Sequence, residues 1–370
     1  MDKTNSPQPV LVAAGGTGGH LFPAAALASA LTERGIAVHL ATDRRAVQFG
    51  DAFAQDTIHV VASATIRSRN PVALTQTAAA LGLGLFQAWH LIGRLRPAVV
   101  IGFGGYPSLP PVLAAVWRGV PTVIHDGNAV VGRANRFLAP RVSAIATTFP
   151  GTFANASGLA AKATLTGNPV RSAVIAAAAT PYNAPSDILR LLVFGGSQGA
   201  RIMADIVPAA VALLEGGLRH RLRVVAQARE EDLARVRQAY ASAAVAAEVA
   251  PFFSDLPARI AASHLTVARS GASTVAELAA IGRPSILVPL PHAIDQDQFA
   301  NAGVLERAGG ALRLVQEAFT PERLATEIAA LAGAPQRLAA MATAARSLGR
   351  PDAAARLADL VCHLAANAKC

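Results

Sequence analysis

Eight short apolar runs, each leading through a turn into an Ala-rich stretch with helical spacing, recur along the whole chain: 10–14, 36–41, 99–103, 122–125, 189–194, 222–226, 265–268 and 286–289. A run this short and this uniformly apolar is buried on both faces, and alternation with helices is the pattern of βαβ units around parallel sheets. Helix ends agree, since Gly35 in "ERG" stands where a terminating glycine belongs. Two of the units repeat one another half a chain apart: "VLVAAGGTGGH" and "RLLVFGGSQGA" both run strand, Gly-Gly, small polar residue, Gly, helix. At 370 residues the chain exceeds one comfortable core, so the expected fold class is α/β with two Rossmann-like domains and a cleft between them. The expected boundaries are 7–171 and 188–345 for the halves, with 172–187, "SAVIAAAATPYNAPSD", as linker and 346–370 as a closing helical segment.

A strand that passes through glycines into a helix presents unpaired backbone N–H groups and the positive end of a helix dipole, which suits phosphate. Four loops have this form: 15–19, "GFGGYPS" at 102–108, 195–199, and "SGAST" at 270–274, which opens a helix carrying Glu277. Any one of them also serves as a plain tight turn; four together ask for an anionic ligand. No Gly-Lys-Ser/Thr follows either Gly-Gly loop, and the glycine register misses the dinucleotide fingerprint, with Asp43 the only acidic candidate to close it. Hydride chemistry is therefore the lesser reading. Glu277 instead stands where a carboxylate accepts both hydroxyls of a ribose whose diphosphate sits at the helix N-terminus. His20 ends the first loop at a helix start, where the dipole disfavours its cation, and a neutral imidazole beside a nucleotide is a candidate general base. A histidine that only caps or packs is the alternative.

The formal net charge of +10 favours anionic partners, although an Arg-rich codon bias accounts for the excess equally well. Only three Tyr and two Trp are present and they do not interleave with the basic residues, which speaks against nucleic acid. Cys362 and Cys370 are the two cysteines, without metal-ligand spacing, so neither a disulfide framework nor a zinc site is expected. The N-terminus, "MDKTNSPQPV", has no apolar h-region, and a cytoplasmic location is expected. Residues 71–93 contain no Asp, Glu, Lys or Arg, yet Thr75, Gln76, Thr77, Gln87 and His90 interrupt them too often for a membrane span.

Taken together, "GGTGGHLFPAAALA", "GFGGYPSLPPVLAA", "PTVIHDGNAVVGRANR", "TGNPVR", "VFGGSQGA", "ARSGASTVAEL" and "VPLPHAIDQDQFANA" resemble the inverting GT-B glycosyltransferases of bacterial cell-wall synthesis, glycosyltransferase family 28. The resemblance runs from about residue 9 to the final helices. It implies transfer of N-acetylglucosamine from UDP-N-acetylglucosamine to the muramyl 4-hydroxyl of lipid I, giving lipid II and UDP. It also implies an acceptor-binding N-terminal half, a donor-binding C-terminal half with the sheets facing across the cleft, and a last helix that crosses back onto the first half. Other UDP-sugar-dependent lipid glycosyltransferases and UDP-N-acetylglucosamine epimerases share the architecture and are the alternatives, with a non-catalytic nucleotide-sugar sensor as a third.

Residue by residue, the resemblance places Thr17, Gly18 and Gly19 over the donor sugar and near the acceptor diphosphate, with Gly104, Gly105 and Tyr106 of the second loop also in the substrate site. His20 matches the histidine proposed as base. Asn128 and Gln298 match residues that bond the donor sugar's hydroxyls, Arg171 matches a donor-contacting arginine, and Ser197, followed by Gln198, matches the α-phosphate ligand. Phe253 falls where backbone groups read uracil, and Ala272, Ser273, Thr274 and Glu277 match the helix that holds diphosphate and ribose. Helix N-termini and Arg171 meet the charge on departing UDP, so no metal or other cofactor is expected. The chain departs from the family at His125-Asp126-Gly127-Asn128, where His-Glu-Gln-Asn is common, so Asp126 is a catalytic candidate one methylene short. The triplet Asp295-Gln296-Asp297 formally matches a metal-binding Asp-x-Asp, but it lies in the segment that supplies Gln298 and reads as coincidence.

The acceptor's polyprenyl chain implies a peripheral enzyme at the cytoplasmic face of the inner membrane, in a possible cell-wall synthesis complex. Leu74, Leu81, Leu85, Trp89 and Ile92 share one helical face and Leu83 and Phe86 lie on another, flanked by Arg67, Arg69, Arg94 and Arg96. A helix apolar nearly all round is either buried or touches lipid on one side, and 67–96 is the candidate for an anionic membrane surface.

Overall fold

The computed structural model describes residues 8–16, 18–43, 53–64, 70–154, 156, 158–196 and 199–367, without the side chains of 71–74 and 294. It divides into two compact units, Met1–Arg171 with Asp352–Cys370, and Ser172–Pro351. Among the described residues of the first, seven strands, β1 Val10–Ala13, β2 Val38–Thr42, β3 Ile58–Val60, β4 Val99–Gly102, β5 Thr122–Asp126, β6 Ala144–Thr147 and β7 Ala163–Leu165, form one sheet in the order β3-β2-β1-β4-β5-β6-β7. In the second, β8 Leu189–Phe194, β9 Leu222–Gln227, β10 Ala246–Ala250, β11 Leu265–Ala268, β12 Ser285–Leu287 and β13 Ala311–Arg313 run in the order β10-β9-β8-β11-β12-β13. Pairing is parallel throughout, with Val10 opposite Val38 and Val99 in one sheet and Leu191 opposite Val224 and Leu265 in the other.

Strand order reverses between β1 and β4 and again between β8 and β11. At such a reversal the following helices leave on opposite faces, which opens a crevice at the carboxyl ends of the two strands, where α/β proteins hold ligands. All four loops singled out above follow these strands: 15–19 after β1, 102–108 at the end of β4, 195–199 after β8 and 270–274 after β11.

The alternation of side chains along β1 builds two half-cores. Val10 and Val12 pack with Leu21, Leu27 and Leu31 of α1, Gly18–Thr32, and with Leu357, Ala358 and Val361 of the final helix, Ala353–Asn367. Leu11 and Ala13 pack with Ala88, Leu91 and Ile92 of α2, Pro71–Leu95, and with Val112 of α3, Leu109–Trp117. Each buried Leu, Ile or Val contributes roughly 1.5–3 kcal/mol. In the second unit a core cluster runs from Leu191 and Val193 through Met203 and Val207 to Ile328, and Leu192, Phe194, Leu278 and Ile281 are buried as well. Residues 172–187, expected to link the halves, are fastened to that unit. They open with the helix Ser172–Ala178; Tyr182 Oη then donates to the His264 carbonyl at 3.0 Å, and the buried Arg283 donates to the Thr180 carbonyl at 3.1 Å.

No helix among the described residues is long and apolar enough to cross a membrane. In α2 the faces are sorted: Ala88, Leu91 and Ile92 are buried and Leu85 packs against them, while Leu83, Phe86 and Trp89 are exposed. Trp117 on α3 is exposed as well, and the Arg118 guanidinium lies 4.1 Å above the Trp89 ring. Arg67 and Arg69 lie outside the described residues.

Candidate active site

In the first unit the site is built from three strand ends. The Phe103 N–H donates to the Ala13 carbonyl at 2.9 Å, which ties the loop after β4 to the end of β1. Gly18 and Gly19 open α1, so His20 stands in its first turn, half-buried. Its ring lies on the Gly104–Gly105 backbone: a Cβ at Gly104 would stand 3.5 Å from His20 Cε1, and one at Gly105 3.3 Å from Nε2. Both glycines have positive φ, +85° and +70°, a backbone conformation that favours glycine there. Burial lowers the His20 pKa, opposed by a hydrogen bond to the Phe103 backbone. A bond that favours the cation is one the ring donates, so in the neutral imidazole the other nitrogen is the acceptor. Asp43 holds the first loop, accepting from the Gly16 N–H at 3.4 Å. Tyr106, beyond Gly105, is partly exposed, and Thr17 lies outside the described residues.

His125 and Asp126 end β5. Burial pushes the His125 pKa down to about 4, against a hydrogen bond to the Gly167 backbone that favours the cation, so the ring is neutral; its Nε2–H donates to the Gly167 carbonyl at 3.0 Å. Asp126, a catalytic candidate from sequence, is buried, and its carboxylate accepts from Asn128 N–H at 3.1 Å, Gly132 N–H at 3.0 Å and Asn135 Nδ2 at 3.1 Å. Asn135, on α4, Arg133–Leu138, also donates to the His125 carbonyl at 3.0 Å. Those donors make Asp126 the anchor of the loop that carries Asn128. Its shorter side chain suits the task, because the three donors close around the end of β5 itself.

In the second unit, Gly195 N–H donates to Gln227 Oε1 at 3.1 Å, while Ser197 and Gln198 lie outside the described residues. The helix Ala272–Ile281 starts after Gly271 with Ala272, Ser273 and Thr274 partly exposed and no acidic residue in its first turn. Its first N–H groups have no intrahelical acceptor and lie at the positive end of the helix dipole, with Glu277 buried further along. Gln298 is held from two sides: its carbonyl accepts from Ser270 Oγ at 2.8 Å and its Oε1 from Leu290 N–H at 3.0 Å. The turn before it is strained, with His292, Asp295 and Gln296 all at positive φ. Asp297 accepts from the Gln298 N–H at 2.7 Å, and burial raises its pKa. Phe253 is buried beneath the Arg259 guanidinium at 4.2 Å, and Arg259 pairs with Glu248 and Asp255 at 2.7 Å each. Among the described residues no group of three His, Cys, Asp or Glu side chains is placed to share a metal ion.

Sequence reasoning missed Asn135 and Arg269. Arg269 is buried at the end of β11 and donates to the carbonyls of Val288 at 3.2 Å and Pro289 at 2.9 Å and to Gln316 Oε1 at 2.6 Å. It thereby clamps the segment leading to Gln298. A charged residue directly after a buried strand was the available signal.

Models of the glycosyltransferase family 28 N-terminal and C-terminal domains match residues 10–147 and 190–357. The chain is 61% identical over 358 residues to the UDP-N-acetylglucosamine–N-acetylmuramyl-(pentapeptide) pyrophosphoryl-undecaprenol N-acetylglucosamine transferase of Rhodopseudomonas palustris (strain BisB18), covering 96% of each chain. It is 60% identical to the protein of the same name from Nitrobacter winogradskyi, over 96% of this chain and 97% of that one. Among solved structures, MurG of Acinetobacter baumannii superposes with a TM-score of 0.79 at 30% identity, over 96% of this chain and 100% of that one. A UDP-GlcNAc 2-epimerase from Neisseria meningitidis, with a TM-score of 0.66 at 12% identity over 96% and 100%, shares the fold.

Proposed function

This chain belongs to glycosyltransferase family 28, and on that premise we propose that it transfers N-acetylglucosamine from UDP-N-acetylglucosamine to the muramyl 4-hydroxyl of lipid I, forming lipid II and UDP. The observation that carries this reading is identity of about 60% over nearly the full length of transferases bearing that name. The epimerase likeness, at 12% identity, extends to the fold alone.

His20 is the group that takes the proton of the attacking hydroxyl. It is neutral at physiological pH, because burial lowers its pKa, and its ring is fixed against Gly104 and Gly105. The hydroxyl oxygen bonds to the anomeric carbon as the bond to the UDP oxygen breaks, with inversion at that carbon. Charge appearing on the diphosphate is met by the first-turn N–H groups of Ala272, Ser273 and Thr274, by Arg171 and by the 195–199 loop with Ser197 and Gln198. Gln298 and Asn128 read the sugar hydroxyls, each held by the network described above; Glu277 takes the ribose and the Phe253 backbone the uracil. Gly18, Gly19, Thr17 and Tyr106 complete the acceptor side. The exposed Leu83, Phe86, Trp89 and Trp117, with Arg118 beside them, are the surface that meets the anionic bilayer and gives access to lipid I.

The test is incorporation of labelled N-acetylglucosamine into a lipid I analogue, with UDP release, by wild type and His20→Ala. Wild-type transfer is expected, and loss of a general base lowers kcat by about 10²–10⁴-fold while UDP-sugar binding survives. The neutral ring is the active form, so kcat falls on acidification with a midpoint below the ordinary 6.5 of histidine. A wild type that binds UDP-N-acetylglucosamine but transfers nothing to that acceptor sinks the lipid I assignment.

A further inference from the structure

We propose that Phe22 is the positioning residue for Arg171, presenting the guanidinium to the diphosphate or sugar oxygens of a nucleotide sugar; the inference rests on the donor reading of Arg171 above. Gly18 and Phe22 are four residues apart on α1 and so share one helix face. A Cβ at Gly18 would stand 3.0 Å from Phe22 Cε2 and 3.3 Å from Cζ, so the ring lies directly over the end of the first glycine loop. On the ring's own face the Arg171 Cζ stands 4.8 Å from the centroid, within the range of a cation–π contact. Arg171 is the last residue of the first of the two segments that form its unit, at the end of "TGNPVR". One aromatic side chain thus links the loop that precedes His20 to the arginine assigned to the donor.

The physical task is orientation. A guanidinium is planar and its N–H groups point outward in that plane, so stacking on a ring sets the plane without using the donors. An arginine held in this way loses fewer rotamers when an anion arrives. The same ring crowds position 18, where a methyl would force Phe22 to give by a few tenths of an ångström.

The test is a double-mutant cycle with Phe22→Leu, Phe22→Tyr and Arg171→Ala, read as kcat and KM for UDP-N-acetylglucosamine, together with the Arg171 side-chain N–H resonances in labelled protein. Loss of the π face in Phe22→Leu is expected to raise the donor KM about 2–5-fold with little change in kcat. Phe22→Tyr restores the wild-type value, and Phe22→Leu adds nothing in the Arg171→Ala background. The ring-current shift of the Arg171 resonances should be present in wild type and Phe22→Tyr and absent in Phe22→Leu. Should Phe22→Leu not fold, Phe22→Met offers similar bulk without a π face. Independent, multiplying effects of the two substitutions, or a Phe22→Tyr as impaired as Phe22→Leu, overturn the proposal while leaving the transfer reaction intact. Wild-type protein that binds no UDP-sugar overturns the donor reading of Arg171 and with it this role, although the resonance shift still reports whether the stack exists.

Discussion

His125 and Asp126 stand next to each other at the end of β5, and acid acts on His125 through its burial. The unfolded chain protonates His125 near 6.5, whereas the buried ring resists protonation until about 4. Below 6.5 the unfolded state therefore binds the extra proton, and stability falls as pH drops from 6.5 toward 4, by on the order of 3 kcal/mol from this residue. Denaturant titrations across that window should show the decline, and His125→Gln should flatten it; an equally steep decline in the variant means that other groups carry it. Asp126→Ala strips the acceptor from two backbone N–H groups and Asn135, a loss of roughly 2–4 kcal/mol for buried donors left unpaired. Its signature is a lower melting temperature together with impaired transfer. Impaired transfer at unchanged stability would instead assign a chemical role to the carboxylate.

At the scale of elements, α2 and α3 present an apolar surface that packing does not need. Phe86 is 62% exposed and Trp117 58%, while the inner residues Ala88, Leu91 and Ile92 hold the helix to the sheet. Removing Phe86 and Trp117 together, as Phe86→Ser with Trp117→Ser, should therefore leave the melting temperature in place. Because burying a large apolar side chain yields roughly 1.5–3 kcal/mol, the pair should weaken sedimentation with anionic vesicles about tenfold or more. Vesicle binding equal to wild type sinks the membrane assignment of this surface. Helical spacing revealed that α2 is apolar nearly all round; the side that stays exposed was set by which residues β1, β4 and α3 cover.

At the scale of the molecule, the final helix completes the first unit's core although it comes last in the chain. Leu357 and Val361 are fully buried against the face of α1, and the Arg34 guanidinium pairs with Asp359 at 2.8 Å. Ending the chain before residue 352 should cost roughly 3–6 kcal/mol of apolar burial, comparable to the whole stability of a domain. Calorimetry should then show the first unit's transition lowered or lost while that of the second persists; unchanged melting of both shows that the helix is dispensable. Much of this architecture was legible in the sequence, because its signals are local. Strand, glycine turn and helix follow one another within a few residues, and that order dictates parallel sheets, glycine loops at the strand ends and a histidine at a helix start. What the tertiary structure alone decided are contacts between residues distant in the chain: the Phe22 ring under Arg171, Arg269 clamping the approach to Gln298, and His125 donating to the Gly167 carbonyl. Each depends on where two strand ends meet, and periodicity carries no information about that, since hydrogen-bond geometry and close packing are settled only when the sheet has formed.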